Sequence, residues 1–175
     1  MELLTLEQWE KLFTSCRRSA WHLEMRDTYA VGDEQQWVDQ WQAGKLDLES
    51  YRESRRWWLD LMQASTSAGK QIRRARIVCE PVSEYIKWEH TGAYQNVEAG
   101  EDIRWLPRHE AGAIALPAND FWLFDGTKVV LNYWTGDGDW LGNGVTEAPD
   151  MADLCKSAFE AVWEAAIPHS EYKLT

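Results

Sequence analysis

An α/β domain built on one mixed sheet is the fold class predicted for this chain, and three observations predict it. Helical spacing and two-residue alternation take turns along the first half of the sequence. A strand, a loop and a meander of short strands and tight turns then fill residues 102–140, and one long amphipathic stretch comes after them. The resulting order is α-β-α-α-β-α-β-β-β-(β)-α. Strands separated by helices argue for parallel pairing, and the meander argues for an antiparallel extension of the same sheet.

Thr5 and Gln8 form a capping-box pattern. Leu6, Trp9, Leu12, Phe13 and Cys16 follow at helical spacing, so a first amphipathic helix runs to about Arg17. Next, Trp21, Leu23 and Met25 alternate with His22, Glu24 and Arg26, which predicts a strand with one buried face. Its polar face, with Asp27 just beyond, is either a salt-bridged, solvated surface or part of a site. Asp33 is placed to cap a short helix, with Gln36 three residues on. Trp37 and Trp41 share one face of it, and Gly44 closes it. KLDLES reads as a polar connector. A longer helix is predicted from about Tyr51 to Ala68, with Trp57, Trp58, Leu61, Met62 and Ser65 inward and Arg52, Arg55 and Arg56 in its first half; Gly69 ends it.

QIRRARIVCE is a strand by its β-branched content. Arg74 and Arg76 share one face with Ile72 and Val78, while Arg73, Ala75 and Ile77 share the other. Arginine in a central strand has to be paired or solvent-facing. A helix is predicted from Pro81, carrying Val82, Tyr85, Ile86 and Trp88, with Gly92 interrupting it and AYQNVEAGED irregular or a final turn. In DIRWLPR, Ile103 and Trp105 alternate with Arg104 and Leu106, and Pro107 limits the strand. GAIALPAND is a loop. FWLF and KVVLNYW are strands joined at Asp125-Gly126-Thr127, a hairpin signal. TGDGDW is a second turn, and residues 140–145 form a last short strand. In PDMADLCKSAFEAVWEAAIPH the apolar stripe is Met151, Leu154, Cys155, Ala158, Val162 and Trp163, and Pro168 stops the helix.

The 175 residues suit one domain spanning 1–175, with a helical and strand part at 1–48 and a core at 49–168. Twelve tryptophans require a large mixed core or an aromatic recognition surface. Most of them fall on periodic apolar faces, which favours the core. The net charge is −11. Residues 51–78 carry seven basic and two acidic groups, whereas both flanks are acidic. An acidic chain repels phosphate backbones, so direct nucleic-acid binding is not expected. The basic island is where an anion or acidic partner would dock. Cys16, Cys79 and Cys155 are odd in number and far apart, which argues against a disulfide scaffold or zinc site. No leader pattern and no run of about 18 apolar residues is present. The expectation is a cytoplasmic protein with no membrane contact and no cofactor.

The familiar catalytic and nucleotide motifs fail one by one. Gly136-x-Gly138 and Gly142-x-Gly144 lie between strands, without the strand-to-helix step a phosphate loop needs. Asp137-x-Asp139 begins like a calcium loop, but its later ligands are missing, so it reads as a turn. His22, His90, His109 and His169 form no metal pair, and no GxSxG is present. What remains is arginine. Adjacent strands would bring Arg74 and Arg76 near Arg104 and Arg108, a set able to grip a phosphate or carboxylate bidentately. The alternative is an internal ion network with Glu24, Glu89, Glu98 or Glu101. The candidate ligand-binding set is therefore Arg74, Arg76, Arg104, Arg108, Glu24, Arg26, Glu89 and Glu98. No catalytic or metal-binding residue is assigned, although Glu24, Asp27 and Glu89 beside the arginines could form an acid/base constellation.

WLDLMQASTSAGKQIRRARIV resembles the helix-to-strand segment of phospholipase D-like domains. FWLFDGTKVVLNYW resembles their central hairpin, and PDMADLCKSAFEAVWEAAIP their closing helix. The resemblance covers about residues 50–168 and implies a phospholipase D-like half-domain preceded by a helix and ended by a meander and closing helix. AWHLEMRDTYAV, NVEAGEDIRWLPRH and DFWLFDGTKV resemble, over nearly the whole length, an actinobacterial family of unknown function. That resemblance implies association with helix-turn-helix regulators. In the enzymes a His-x-Lys motif directly precedes the hairpin; here Ala118 and Asp120 fall at those places. Alanine cannot act as the nucleophile, and aspartate would repel a phosphate. The implied function is a non-catalytic ligand- or partner-binding module, accessory to a helix-turn-helix transcription regulator. An enzyme using the acidic residues and arginines, and a toxin- or antitoxin-like partner protein, are the alternatives. The candidate partners are such a regulator, a small anionic ligand and a second copy of the chain.

Overall fold

The computed structural model describes residues 3–29, 32 and 34–175. Helix α1 (Leu6–Ser15) opens on the capping box: Thr5 accepts from the Gln8 amide, and the Gln8 side chain accepts from the Thr5 amide. Strand β1 (Ser19–Glu24) follows, then α2 (Gln35–Gln42). Asp33, expected to cap α2, lies outside the described residues.

The stretch read as a connector and one long helix is two helices, α3 (Leu48–Ser54) and α4 (Arg56–Ser67), broken at Arg55. Asp47 caps α3 by accepting from the Glu49 amide, so part of the polar KLDLES segment is helical. Beyond β2 (Gln71–Val78), Ser83 caps α5 (Glu84–Glu98). Gly92 does not interrupt α5. The Tyr51 ring packs against it, and a Cβ there would sit 3.1 Å from that ring. The glycine serves close approach and does not break the helix.

β3 (Asp102–Pro107) leads through a 3₁₀ turn, Arg108–Ala111, to β4 (Phe121–Phe124), β5 (Lys128–Trp134) and β6 (Trp140–Thr146). The closing helix α6 (Pro149–Ala165) is followed by β7 (Ile167–Pro168). Pro168 thus does more than stop a helix, because its segment pairs antiparallel with β3.

The sheet order is β6-β5-β4-β1-β2-β3-β7. β1, β2 and β3 run parallel, and the meander pairs antiparallel from β4 outward. β1 therefore sits inside the sheet, between β4 and β2. Both of its faces are covered, contrary to the expected single buried face. On one side Leu23, Ala75, Ile77, Phe121 and Leu123 meet Phe159 and Val162 of α6. On the other, Ala20, Ile72, Trp122 and Val130 meet Phe13 of α1 and Met62 of α4. Trp57, expected inward, is 37% exposed, whereas Trp88, Trp105, Trp122 and Trp163 are buried. Among the described residues no helix is long and apolar enough to cross a membrane.

Candidate functional site

Two-residue alternation and parallel register together build a charged floor on the side of the sheet opposite α6. β1 and β2 align His22 with Arg74 and Glu24 with Arg76, so all four side chains share that face. β4 adds Trp122 beside His22. Above this floor is a cavity of about 620 Å³, walled by Tyr51, Trp57 and Trp58 from α3 and α4, by Tyr85 and Glu89 from α5, and by Tyr29, Glu34, Asp120 and Trp134 from connecting segments and β5. That volume suits a small molecule.

The floor arginines are held by carboxylates. Arg74 Nε donates to Glu101 at 2.7 Å, and its Nη1 donates to Glu24 at 2.5 Å. Arg76 Nη1 pairs with Glu89, and its Nε lies 2.7 Å from Glu24 Oε2. The last contact is an ion pair without hydrogen-bond direction, since neither atom has a hydrogen-bonding partner. Burial works against the charged form of both guanidiniums. The carboxylates outweigh it, Glu101 then Glu24 for Arg74 and Glu24 then Glu89 for Arg76, and both pKa values are raised. The chain of contacts continues outward: Asn96 donates to Glu101 at 2.5 Å, and Arg55 donates to Asn96 at 2.5 Å and Gln95 at 3.3 Å.

Two carboxylates of the wall are different. Asp120 accepts from the Met25 amide at 2.8 Å and from the Tyr29 hydroxyl at 2.7 Å. Burial pushes its pKa up to about 6, with help from the Glu24 charge. Glu34 accepts from the Tyr85 hydroxyl at 2.8 Å, and burial followed by the Glu89 charge raises it to about 7. Among the described residues neither carboxylate is in an ion pair. His22 lies flat on Trp122, with ring centroids 4.2 Å apart and planes 14° from parallel. Burial, then Arg74 and Arg76, holds its pKa well below the usual imidazole value, so it is neutral. Among the described residues neither ring nitrogen makes a hydrogen bond, although Nδ1 lies 3.4 Å from Glu24 Oε1.

Of the candidate residues read from the sequence, Arg74, Arg76, Glu24 and Glu89 converge here. Arg104 does not join them. It aligns with Ala75, and therefore projects to the α6 face, where Nη1 donates to the Trp163 carbonyl at 3.0 Å and the guanidinium sits 4.4 Å from the Trp163 ring centroid. Arg108 is at the carboxyl ends of β1 and β2, donating to the Met25 and Ile77 carbonyls at 2.5 and 3.0 Å and pairing with Asp27 at 3.2 Å. Arg26 and Arg108 border a separate hollow of about 340 Å³ that shares Asp120 and Trp134 with the main pocket. Glu98 is exposed and pairs with Arg52 at 2.7 Å. The sequence reading missed Glu34, Tyr29 and Tyr85, which no local pattern marks. It noted His22 without assigning it to the site, although its alternation with Leu23 placed it on the face of Glu24. Among the described residues no group of three or more His, Cys, Asp or Glu side chains could hold a metal ion.

The hairpin is fastened to this floor by Asp125, which takes a positive φ of 51°. Its carboxylate accepts from the amides of Arg17, Arg18 and Ser19 at 2.8, 2.7 and 3.0 Å. A parallel centre, an antiparallel meander and a closing helix on one face make a mixed α/β fold of the phospholipase D-like kind. NucT from Helicobacter pylori has a similar fold, with a TM-score of 0.50 and 11% identity over 93% of this chain and 89% of that one. Nuc from Salmonella typhimurium, a phospholipase D family member, compares at a TM-score of 0.49 and 10% identity, over 91% and 86% of the two chains. TrmBL2, an archaeal chromatin protein, compares at 0.47 and 10% identity, over 92% of this chain and 49% of that one. Identities this low speak to fold alone. Residues 7–174 match the family described as Domain of unknown function (DUF6879), and the chain belongs to it. No curated protein matches the chain.

Proposed function

We propose that the domain binds a small molecule in the pocket over β1 and β2 and does not cleave phosphodiesters. The observation that carries this reading is Asp120. It falls where the phospholipase D resemblance calls for lysine, and it puts a carboxylate in the pocket wall where that mechanism needs a cation. Arg74 and Arg76, which could have gripped an anion, are already engaged by Glu24, Glu89 and Glu101. A small anionic ligand is therefore not what this charge arrangement favours. In this reading the module is cytoplasmic and passes ligand occupancy to a helix-turn-helix regulator, the partner that the sequence resemblance implies. Co-purification of the two proteins checks that part separately.

A second reading has one observation in its favour. His22 is buried and neutral at the pocket floor, with Nδ1 3.4 Å from Glu24 and no hydrogen bond at Nε2 among the described residues, as a general base or nucleophile oriented by a carboxylate would be. The test combines a screen of small metabolites by scanning calorimetry with an assay of phosphodiester turnover. Ligands should raise the melting temperature of the native protein and of Glu98→Gln, and should do so less for Trp57→Ala at the pocket mouth. Turnover that vanishes in His22→Ala would replace binding with catalysis. Shifts that survive Trp57→Ala undiminished would place binding elsewhere.

A further inference from the structure

We infer that the pocket takes an organic cation, a small ammonium-bearing molecule with an apolar or aromatic body, whose charge is met by Asp120 and Glu34. This deepens the binding reading above and rests on it.

Charge is the first argument. Five carboxylates in or just behind the pocket wall (Glu24, Glu34, Glu89, Glu101 and Asp120) face four guanidiniums, those of Arg55, Arg74, Arg76 and, behind Asp120, Arg26. Arg74 and Arg76 are committed to Glu24, Glu89 and Glu101. Arg55 donates to the neutral Gln95 and Asn96 and lies 5.1 Å from the Tyr51 ring centroid. Asp120 and Glu34 are left with hydroxyl and amide donors only. A buried carboxylate without a cation is unfavourable, and an arriving ammonium removes that penalty.

The second argument is the shape of the corner where these two groups stand. Asp120 is bonded to Tyr29, and Glu34 to Tyr85. The two phenol rings are 5.9 Å apart between centroids, and Tyr29 is 4.8 Å from Trp134. Both carboxylates are thus tied to one contiguous patch of tilted aromatic rings. Ring faces attract cations, and this protein already uses them so, with Arg74 5.7 Å from the Trp122 ring and Arg76 5.2 Å from the Trp105 ring.

His22 supplies the third, independent observation. Only 6% exposed, with Nδ1 3.4 Å from Glu24 and no hydrogen bond at Nε2 among the described residues, it lines the same cavity. A buried imidazole nitrogen without a hydrogen bond is a polar group that the far end of a ligand reaching the floor would satisfy. The raised pKa values of Asp120 and Glu34 agree with two buried carboxylates in which burial outweighs the more distant charges of Arg26 for Asp120 and of Arg55 and Arg76 for Glu34.

Three probes of one shape and different charge test the inference by titration calorimetry: phenethylamine, phenethyl alcohol and phenylacetate. The amine should bind about tenfold tighter than the alcohol, and phenylacetate should bind weakest. Asp120→Asn and Glu34→Gln should each bring the amine close to the alcohol while leaving the alcohol unchanged. Glu34→Gln, at a half-buried position in the pocket wall, carries the test if Asp120→Asn does not fold. Equal binding of amine and alcohol, or tightest binding of phenylacetate, overturns the cation assignment. If that binding is still weakened by Trp57→Ala, the pocket reading stands. If none of the three probes binds, both fall.

Discussion

On the α6 side of the sheet, β1 and β2 contribute Leu23, Ala75 and Ile77 to an apolar layer closed by Phe159 and Val162. On the opposite side the same two strands contribute His22, Glu24, Arg74 and Arg76. One pair of strands therefore supplies a conventional core on one face and a buried ion network on the other. The difference lies in what each face can do besides hold the fold. An apolar layer is satisfied by any well-packed cover. A layer of charges is satisfied only by particular partners at particular distances, and here Asp120, Glu34 and His22 remain incompletely partnered. Recognition belongs to the second face for that reason.

The sharpest way to break this contrast is to damage each face once. Arg76→Ala leaves Glu24 and Glu89 buried without their shared guanidinium and should cost ~3–5 kcal/mol in urea unfolding. Phe159→Ala, at a fully buried position, should cost a similar ~3–5 kcal/mol. The two should part in binding: the arginine variant, with Glu24 and Glu89 released, alters pocket affinity, and the phenylalanine variant keeps it under conditions where it is folded. A loss below about 1 kcal/mol for Arg76→Ala would mean that the ion network does not hold the charged face together.

A smaller effect sharpens the comparison through pH. Asp120 faces Tyr29 and the Met25 amide, with the charges of Glu24 and Arg26 nearby. Its folded pKa of about 6 lies above its unfolded value, so the folded form binds the proton more tightly. Stability linked to Asp120 is therefore present at about pH 4 and is lost as pH rises through about 6. Asp120→Asn should gain on the native protein by ~2–3 kcal/mol between those limits and neutrality. Parallel stability-pH curves for the two proteins would refute the assignment. Glu34, raised to about 7 among Tyr85, Glu89, Arg55 and Arg76, should extend the same trend upward in pH.

The smallest expected effect concerns a pair on neither face. Glu98 and Arg52 are each 53% exposed at the side chain, so Glu98→Gln should leave both stability and binding essentially as they were. A larger change in affinity would extend the site along α5.

Alternation within a strand was legible in the sequence because the backbone sets its period at two. It placed Arg74 with Arg76, and His22 with Glu24. Alternation does not say which residues of neighbouring strands share a face; register does. Arg104 alternates correctly within β3, yet pairing with Ala75 sends it away from Arg74 and Arg76. Tertiary contact also decided the helices. Gly92 looked like a breaker by local propensity, but the Tyr51 ring lying on it keeps α5 whole. The wall of the pocket was the least legible part. Tyr85 and Glu34 are 51 positions apart, and Tyr29 and Asp120 are 91 apart, with no periodic signal linking them. The phospholipase D-like hairpin was legible for the opposite reason, since Asp125 and its turn form a compact local pattern.

The aromatic wall has a practical consequence. Four of the twelve tryptophans, Trp57, Trp58, Trp122 and Trp134, border the pocket. Indole emission depends on local polarity and on charges close to the ring. A molecule entering the cavity would alter that surrounding for a third of the fluorophores at once. The domain therefore carries its own optical reporter, and occupancy can be followed in unlabelled protein by light alone.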